Sequence, residues 1–171
     1  MTENEVLTLL AIPNKIVVRQ CSWTVESGGH TPPWKVFESA IEVNGVIQEG
    51  LRFRARYRPP KTIQKGKAEV ELKESLSVAL FSKVTLRIAA IDTTQNQLHI
   101  NRVGKGRRYY EQTINTDTHR HIWVGEYGYV EPITPPIYGI EELFNTFAKQ
   151  CNLNYTGRIP DPRIGEQGTL L

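Results

Sequence analysis

Alternation of apolar and polar positions divides the chain into readable elements. Residues 51–58 alternate strictly, with Leu51, Phe53, Ala55 and Tyr57 on one side and Arg52, Arg54, Arg56 and Arg58 on the other. A helix would scatter these arginines around its circumference, so the two-residue period predicts a strand with one solvated face. Pro59-Pro60 stops it, and residues 61–67 read as a basic loop. Upstream, residues 34–43 place Phe37, Ser39, Ile41 and Val43 on one face and Glu38, Ala40 and Glu42 on the other, ahead of Asn44-Gly45. Asn-Gly is a strong hairpin signal because both residues tolerate positive φ. A second arm through Val46 and Ile47 is expected to bend at Glu49-Gly50.

The C-terminal half has the clearest helix. Ile140, Leu143, Phe144, Phe147, Ala148 and Cys151 form one apolar stripe at helical spacing. Acids in its first turn and Lys149 in its last suit the helix dipole. A short N-terminal helix is predicted from the capping-box spacing of Thr2 and Glu5, ended by Pro13. Further strands are expected over residues 15–21, 68–74, 83–91, 97–102, 107–114 and 119–129, with 75–81 open between strand and helix and 92–96 a turn. This pattern gives an α+β fold, an antiparallel β-sheet of about six to eight strands with the C-terminal amphipathic helix packed on one face. Residues 1–154 read as one domain and 155–171 as a loose C-terminal tail.

Composition adds bounds. The chain has 171 residues, is 39% hydrophobic and 23% charged, as for an ordinary globular domain. No apolar run approaches the roughly 20 residues of a membrane helix. The start has no secretory-signal pattern, and Cys21 and Cys151 are the only cysteines, so a reduced cytoplasmic setting is expected. The net charge of +3 conceals an asymmetry. Arg52, Arg54, Arg56, Arg58, Lys61, Lys65 and Lys67 fall within residues 51–67, which hold no acid. Two readings stand. One is a phosphate-binding face for nucleic acid, with Tyr109, Tyr110 and Trp123 available to stack bases. The other is a solvated sheet face neutralised by Glu69, Glu71 and Glu74 on a neighbouring strand.

The chemistry concentrates in residues 118–128. His119 and His121 are two apart, so in a strand they share a face about 7 Å from one another, opposite Ile122 and Val124 on the core side, with Trp123 beside them. Imidazoles titrate near neutrality, so the pair can supply an acid and a base for cleaving RNA through its 2′-hydroxyl. Arg108 or an arginine of residues 52–58 would steady the phosphate, with Glu126 and Tyr127 as helpers. The plain alternative is a pair of half-exposed surface histidines stacked on Trp123. His119, His121 and Glu126 also spell His-x-His-x4-Glu, similar to part of the first metal motif of cupins. The glycines and second histidine motif of that family are missing, so no metal and no cofactor are expected.

The order of short motifs carries a further resemblance. Arg54-x-Arg56-Tyr57-Arg58 is followed by Leu86-Arg87-Ile88, His99-Ile100-Asn101 and His119-x-His121-Ile122-Trp123. A Gly125-to-Pro132 segment and Phe147-x-x-x-Cys151-Asn152-Leu153 complete the series. Over residues 51–153 this resembles a family of small bacterial and prophage proteins. More distantly it is similar to the histidine-rich toxins of bacterial toxin–antitoxin modules. The resemblance implies an α+β fold with clustered histidines and a ribonuclease-like toxin. It carries over His99, Asn101, His119 and His121, which makes His99 a third candidate catalytic residue. The expected partner is nucleic acid, RNA above all, or an antitoxin or defence-system protein. The rival function is a non-enzymatic interaction module, such as an anti-defence protein that blocks a nucleic-acid site on its partner.

Overall fold

The computed structural model describes residues 1–18, 22–83, 85–95, 98–157 and 159–164. Helix α1 (Glu3–Ala11) starts with the capping box, Thr2 Oγ1 accepting from the Glu5 amide and Glu5 accepting from the Thr2 amide. The strands are β1 (Lys15–Val17), β2 (Thr24–Val25), β3 (Lys35–Val43), β4 (Val46–Arg58), β5 (Lys61–Lys65), β6 (Ala68–Leu72) and β7 (Ser75–Ser82). Then follow β8 (Leu86–Thr93), β9 (Leu98–Ile100), β10 (Thr113–Asn115), β11 (Thr118–Ile122) and β12 (Tyr129–Pro132). Helix α2 (Ile140–Cys151) and β13 (Leu153–Tyr155) complete the order.

One mixed sheet runs β12-β11-β8-β7-β4-β3-β1-β13, with β2 paired to β3. Its neighbours are antiparallel except β1 and β13. The fold is the expected α+β class, with the C-terminal helix on one sheet face. The register explains which face. Phe53, Ala55 and Tyr57 of β4 stand opposite Leu80, Val78 and Leu76 of β7. Val78 and Leu80 stand opposite Ile91 and Ala89 of β8. Directly paired residues share a face, so these apolar positions form one continuous floor. Leu143, Phe144, Phe147 and Cys151 of α2 are buried on it. The Phe53 ring is central, 5.8 Å from Phe37, 5.7 Å from Phe144, 6.2 Å from Phe147 and 5.5 Å from Tyr155 between centroids. The opposite face carries Arg52, Arg54 and Arg56, then Ala79 and Ser77, then Ala90 and Asp92, then His121 and His119.

Several expectations are corrected. Residues 61–67 are not a loop: β5 and β6 form a separate ribbon that turns at Gly66-Lys67. Strand β4 runs through Gly50 without ending there. Residues 75–81 are strand, because β7 is a central strand buried on both faces. Strand β8 does not return into β9; it pairs with β7 and β11, while β9 and β10 make their own ribbon. The stretch 107–112 is turn rather than strand, and the 119–129 segment breaks after Ile122. Of residues 155–171, read as a loose tail, some of the described residues make defined contacts. Tyr155 ends β13, Pro160 accepts the Trp23 indole N–H, and Pro162 accepts from Lys35. Cys21, Val84, Gln97 and residues 165–171, which carry parts of the expected strands and tail, lie outside the described residues. Among the described residues, no helix is long and apolar enough to cross a membrane.

Candidate functional site

Strand β11 brings the two histidines to the face opposite α2, as alternation requires. Its register sets His119 against Asp92 and His121 against Ala90. Ile122 pairs with Ala89 and belongs to the other side. The third histidine arrives from the β9–β10 ribbon. The His99 ring lies 6.2 Å from His119 and 6.1 Å from His121, which are themselves 5.0 Å apart. The three histidines singled out by sequence therefore form one cluster.

The anchor of that cluster is Asp92, which belongs to β8 and not to the turn expected over residues 92–96. His121 Nε2 lies 2.9 Å from Asp92 Oδ2, and His119 Nε2 lies 3.9 Å from the same oxygen. The other oxygen, Oδ1, accepts from Ser77 at 2.6 Å and from Arg87. Arg87 also donates to the Tyr127 hydroxyl at 2.9 Å. The Tyr127 ring stacks on His121 with centroids 5.5 Å apart and planes inclined by 4°. Both nitrogen roles follow from the partners. A carboxylate and a carbonyl only accept, so the proton on His121 is at Nε2, and that on His99 is at the Nε2 facing Gly128 O at 2.8 Å. That leaves His121 Nδ1 and His119 Nε2 buried without hydrogen-bond partners.

Burial dominates the electrostatics. His119 is 1% exposed and His121 7%, which overturns the half-exposed surface reading. Burial pushes His119 down to about 4; the Asp92 charge opposes this, and the neighbouring histidines and Arg87 add to it. His121 is lowered for the same first reason, against the pull of its bond to Asp92. Burial alone would raise Asp92, but the His121 hydrogen bond, the Arg87 charge and the Ser77 hydroxyl hold it below the usual carboxylate range. At neutral pH Asp92 and Arg87 form a carboxylate–guanidinium pair beside neutral His119 and His121.

The His-x-Asn motif has a structural part. Asn101 is 0% exposed. Its Nδ2 donates to Val130 O at 2.9 Å and Tyr109 O at 3.0 Å, and its Oδ1 accepts from Val130 N at 2.7 Å. The side-chain amide thus serves the outer edge of β12 as a neighbouring strand would. Together with the His99–Gly128 bond it clamps residues 128–130 over the histidines.

The arginines lie on the same sheet face, but their partners are not those foreseen. Glu26, beside β2, accepts from Arg54 at 2.6 Å and from Arg56 at 2.5 Å. Glu38 of β3 lies 3.1 Å from Arg54 and 3.4 Å from Arg52. Arg56 and Arg58 stack over Trp34, at 4.5 and 5.6 Å from the ring centre, and Arg58 donates to the carbonyls of Thr31 and Pro32. Glu69 instead bonds Gln64 within its own ribbon, and Glu74 faces Arg163. Lys65 and Lys67 are exposed on the β5–β6 ribbon and Lys61 half-buried at its base.

Other candidates separate. Arg108 is exposed and lies over the neighbouring Tyr109 ring at 5.1 Å. Its turn is tied to Tyr129 by a hydrogen bond and to Glu3 through Arg107, whereas β4 stands four strands in from β12. Trp123 is buried in the core and donates to Met1 O, so it offers no base-stacking surface. Glu126 is exposed and outside the histidine cluster, so the His-x-His-x4-Glu donor set does not assemble. Comparison with protein-family models, curated proteins and solved structures gave no match.

Proposed function

We propose that the protein is directed to nucleic acid, with single-stranded RNA as the expected ligand held along the arginine face of β4. The observation that carries this reading is one strand placing Arg52, Arg54, Arg56 and Arg58 on a single sheet face, with Glu26 and Glu38 as acidic partners among the described residues. The strand repeat spaces these guanidiniums by about 6.7 Å. Their planar forks match phosphate oxygens better than an ammonium does. Lys65 and Lys67 are further exposed cations on the β5–β6 ribbon that follows β4 in the chain. The two glutamates hold the side chains extended and are displaced as competitors when phosphates arrive. A toxin–antitoxin or phage-defence setting accords with the motif resemblance. The reading is one of binding. Acid–base cleavage by His119 and His121 needs groups within hydrogen-bond reach of the scissile phosphate, and both imidazoles are buried and neutral.

The test is a titration of labelled single-stranded RNA at several salt concentrations. Affinity should fall steeply with salt, with log K against log salt sloping by about −0.7 per phosphate contact. Arg54→Ala with Arg56→Ala should flatten that slope by up to roughly 1.4 units. Glu26→Gln, which removes the carboxylate charge shared by Arg54 and Arg56 and leaves Glu38 beside Arg54, should tighten binding. Absence of RNA or DNA binding at low salt refutes the proposal and leaves a protein as the target of this face.

A further inference from the structure

We propose that Asp92, His119 and His121 form a binding site for a divalent first-row metal ion of the zinc type. The site is independent of the RNA reading and uses none of the β4 arginines.

Geometry is the first argument. One donor atom from each of the three residues lies within 4.8 Å of the other two. Two of the separations are 2.9 Å, His121 Nε2 to Asp92 Oδ2, and 3.9 Å, His119 Nε2 to the same oxygen. Ligands about 2.0–2.1 Å from a tetrahedral zinc stand roughly 3.3 Å apart, between those two values. Small rotations of the rings would bring the three donors onto one ion.

The second argument is the unpartnered nitrogen. His119 is 1% exposed, and its Nε2 has no hydrogen bond although it points toward a carboxylate oxygen. Buried polar atoms without partners are rare in folded proteins. A metal between Nε2 and Asp92 Oδ2 supplies the missing partner. His121 has the complementary arrangement. Its Nε2 proton now points at Asp92, and its Nδ1 is unpartnered. Metal entry requires that proton to move to Nδ1, so the ring stays neutral, Nε2 offers a lone pair, and no net proton is gained or lost at His121.

The surroundings fit the same purpose. Ser77 and Arg87 hold Asp92 Oδ1 and leave Oδ2 facing the histidines. Outer-shell bonds of this kind orient a ligating carboxylate. Arg87 also places a positive charge beside the ion, which sets the affinity below that of an all-anionic site. Two imidazoles and one carboxylate favour zinc, iron(II) or cobalt(II) over magnesium or calcium, which take oxygen donors. The solvent side is closed by Tyr127, 48% exposed and stacked on His121, on a loop between Gly125 and Gly128, both at positive φ. That loop is the entry path.

The experiment uses the full chain stripped with a chelator and dialysed. Zinc is titrated against a chromogenic chelator, and cobalt(II) is followed by its visible absorption. One equivalent should bind, with bands of four- or five-coordinate cobalt. His119→Gln and Asp92→Asn should each weaken binding by more than about 100-fold, since loss of outer-shell partners alone costs about 10–100-fold. Glu126→Gln should change nothing. Because the cluster variants could unfold, cobalt is also added to the wild type and the ring protons are followed by NMR. Paramagnetic shifts should fall on His119 and His121 and spare His30. Substoichiometric binding, binding that survives His119→Gln, or shifts centred elsewhere would each overturn the assignment.

Discussion

Replacement of Asn101 by alanine tests the architecture over the histidine cluster most sharply. The side chain makes three hydrogen bonds, to Val130 O, to Tyr109 O and from Val130 N. Alanine removes all three and leaves the amide and carbonyl of Val130 unbonded, while the Tyr109 carbonyl keeps its bond from the Gln112 amide. A buried polar group left without a partner costs about 1–3 kcal/mol. Water entering the vacated space offsets part of this, so the low end for two groups, about 2 kcal/mol, is the expected loss. For a chain of this size that lowers Tm by about 4–8 °C. Asn101→Asp should be worse than alanine. It keeps an acceptor for Val130 N but sets a second carboxylate oxygen against two carbonyls. Denaturant unfolding gives the magnitude, and amide hydrogen exchange gives the place. Val130 should lose protection before the amides of β7 and β8. If Val130 stays as protected as in the wild type, or the loss is under about 1 kcal/mol, the clamp reasoning is wrong.

Three other predictions concern the rest of the fold. Phe147→Ala, at a fully buried ring beside Phe53, should cost about 3–5 kcal/mol in a denaturant melt; a loss under about 1 kcal/mol would mean that α2 is not seated on the sheet. Lys15 is 0% exposed and its ammonium serves the carbonyls of Leu9, Leu10 and Ile12 at the end of α1. Lys15→Met should therefore destabilise the protein and fray α1, read by circular dichroism and by exchange at the end of that helix. Burial pushes the Cys151 thiol up to about 12. In a Cys21→Ser background it should react with a thiol reagent only at the rate of unfolding. Its folded value lies above its unfolded one, so its contribution is full below about pH 9 and is lost as pH rises toward 12. Wild type should accordingly lose more stability than Cys151→Ala between pH 9 and 11.

The elements legible in the sequence were those whose signal is local. Strict alternation placed Arg52 to Arg58 on one face of β4, and the stripe from Ile140 to Cys151 placed α2 on the other. The spacing of His119 and His121 fixed their common side and its opposition to Ile122. What escaped depends on register between distant strands. Asp92 lies in a Thr- and Asn-rich stretch with turn chemistry, yet β8 extends through Thr93 and pairs Asp92 with His119. The hint was Ala90 and Asp92 continuing the two-residue repeat, but Ile88, Ala89, Ala90 and Ile91 are all buried. A strand covered on both faces shows no alternation. Glu26 escaped for a similar reason, since a loop acid twenty-eight residues before Arg54 has no local pattern that points at it. The depth of the histidines was also invisible, because their cover comes from a separate ribbon.

The parallel pairing of β1 with β13 has a kinetic consequence. Lys15 meets Leu153 and Val17 meets Tyr155, whereas β3 with β4, β5 with β6, β7 with β8 and β11 with β12 are joined by short connections. Closing a loop of such length gains no contact energy until it is nearly complete, and non-local pairs of this kind slow folding. During synthesis the central hairpins emerge and can pair while residues 15–17 wait beside β3 with one edge unfilled. That edge is closed only when α2 has docked and Leu153 has left the ribosome. Until then the nascent chain exposes both an unpaired strand and the phenylalanine floor, and this interval is when it is most open to chaperones, proteases and misassembly.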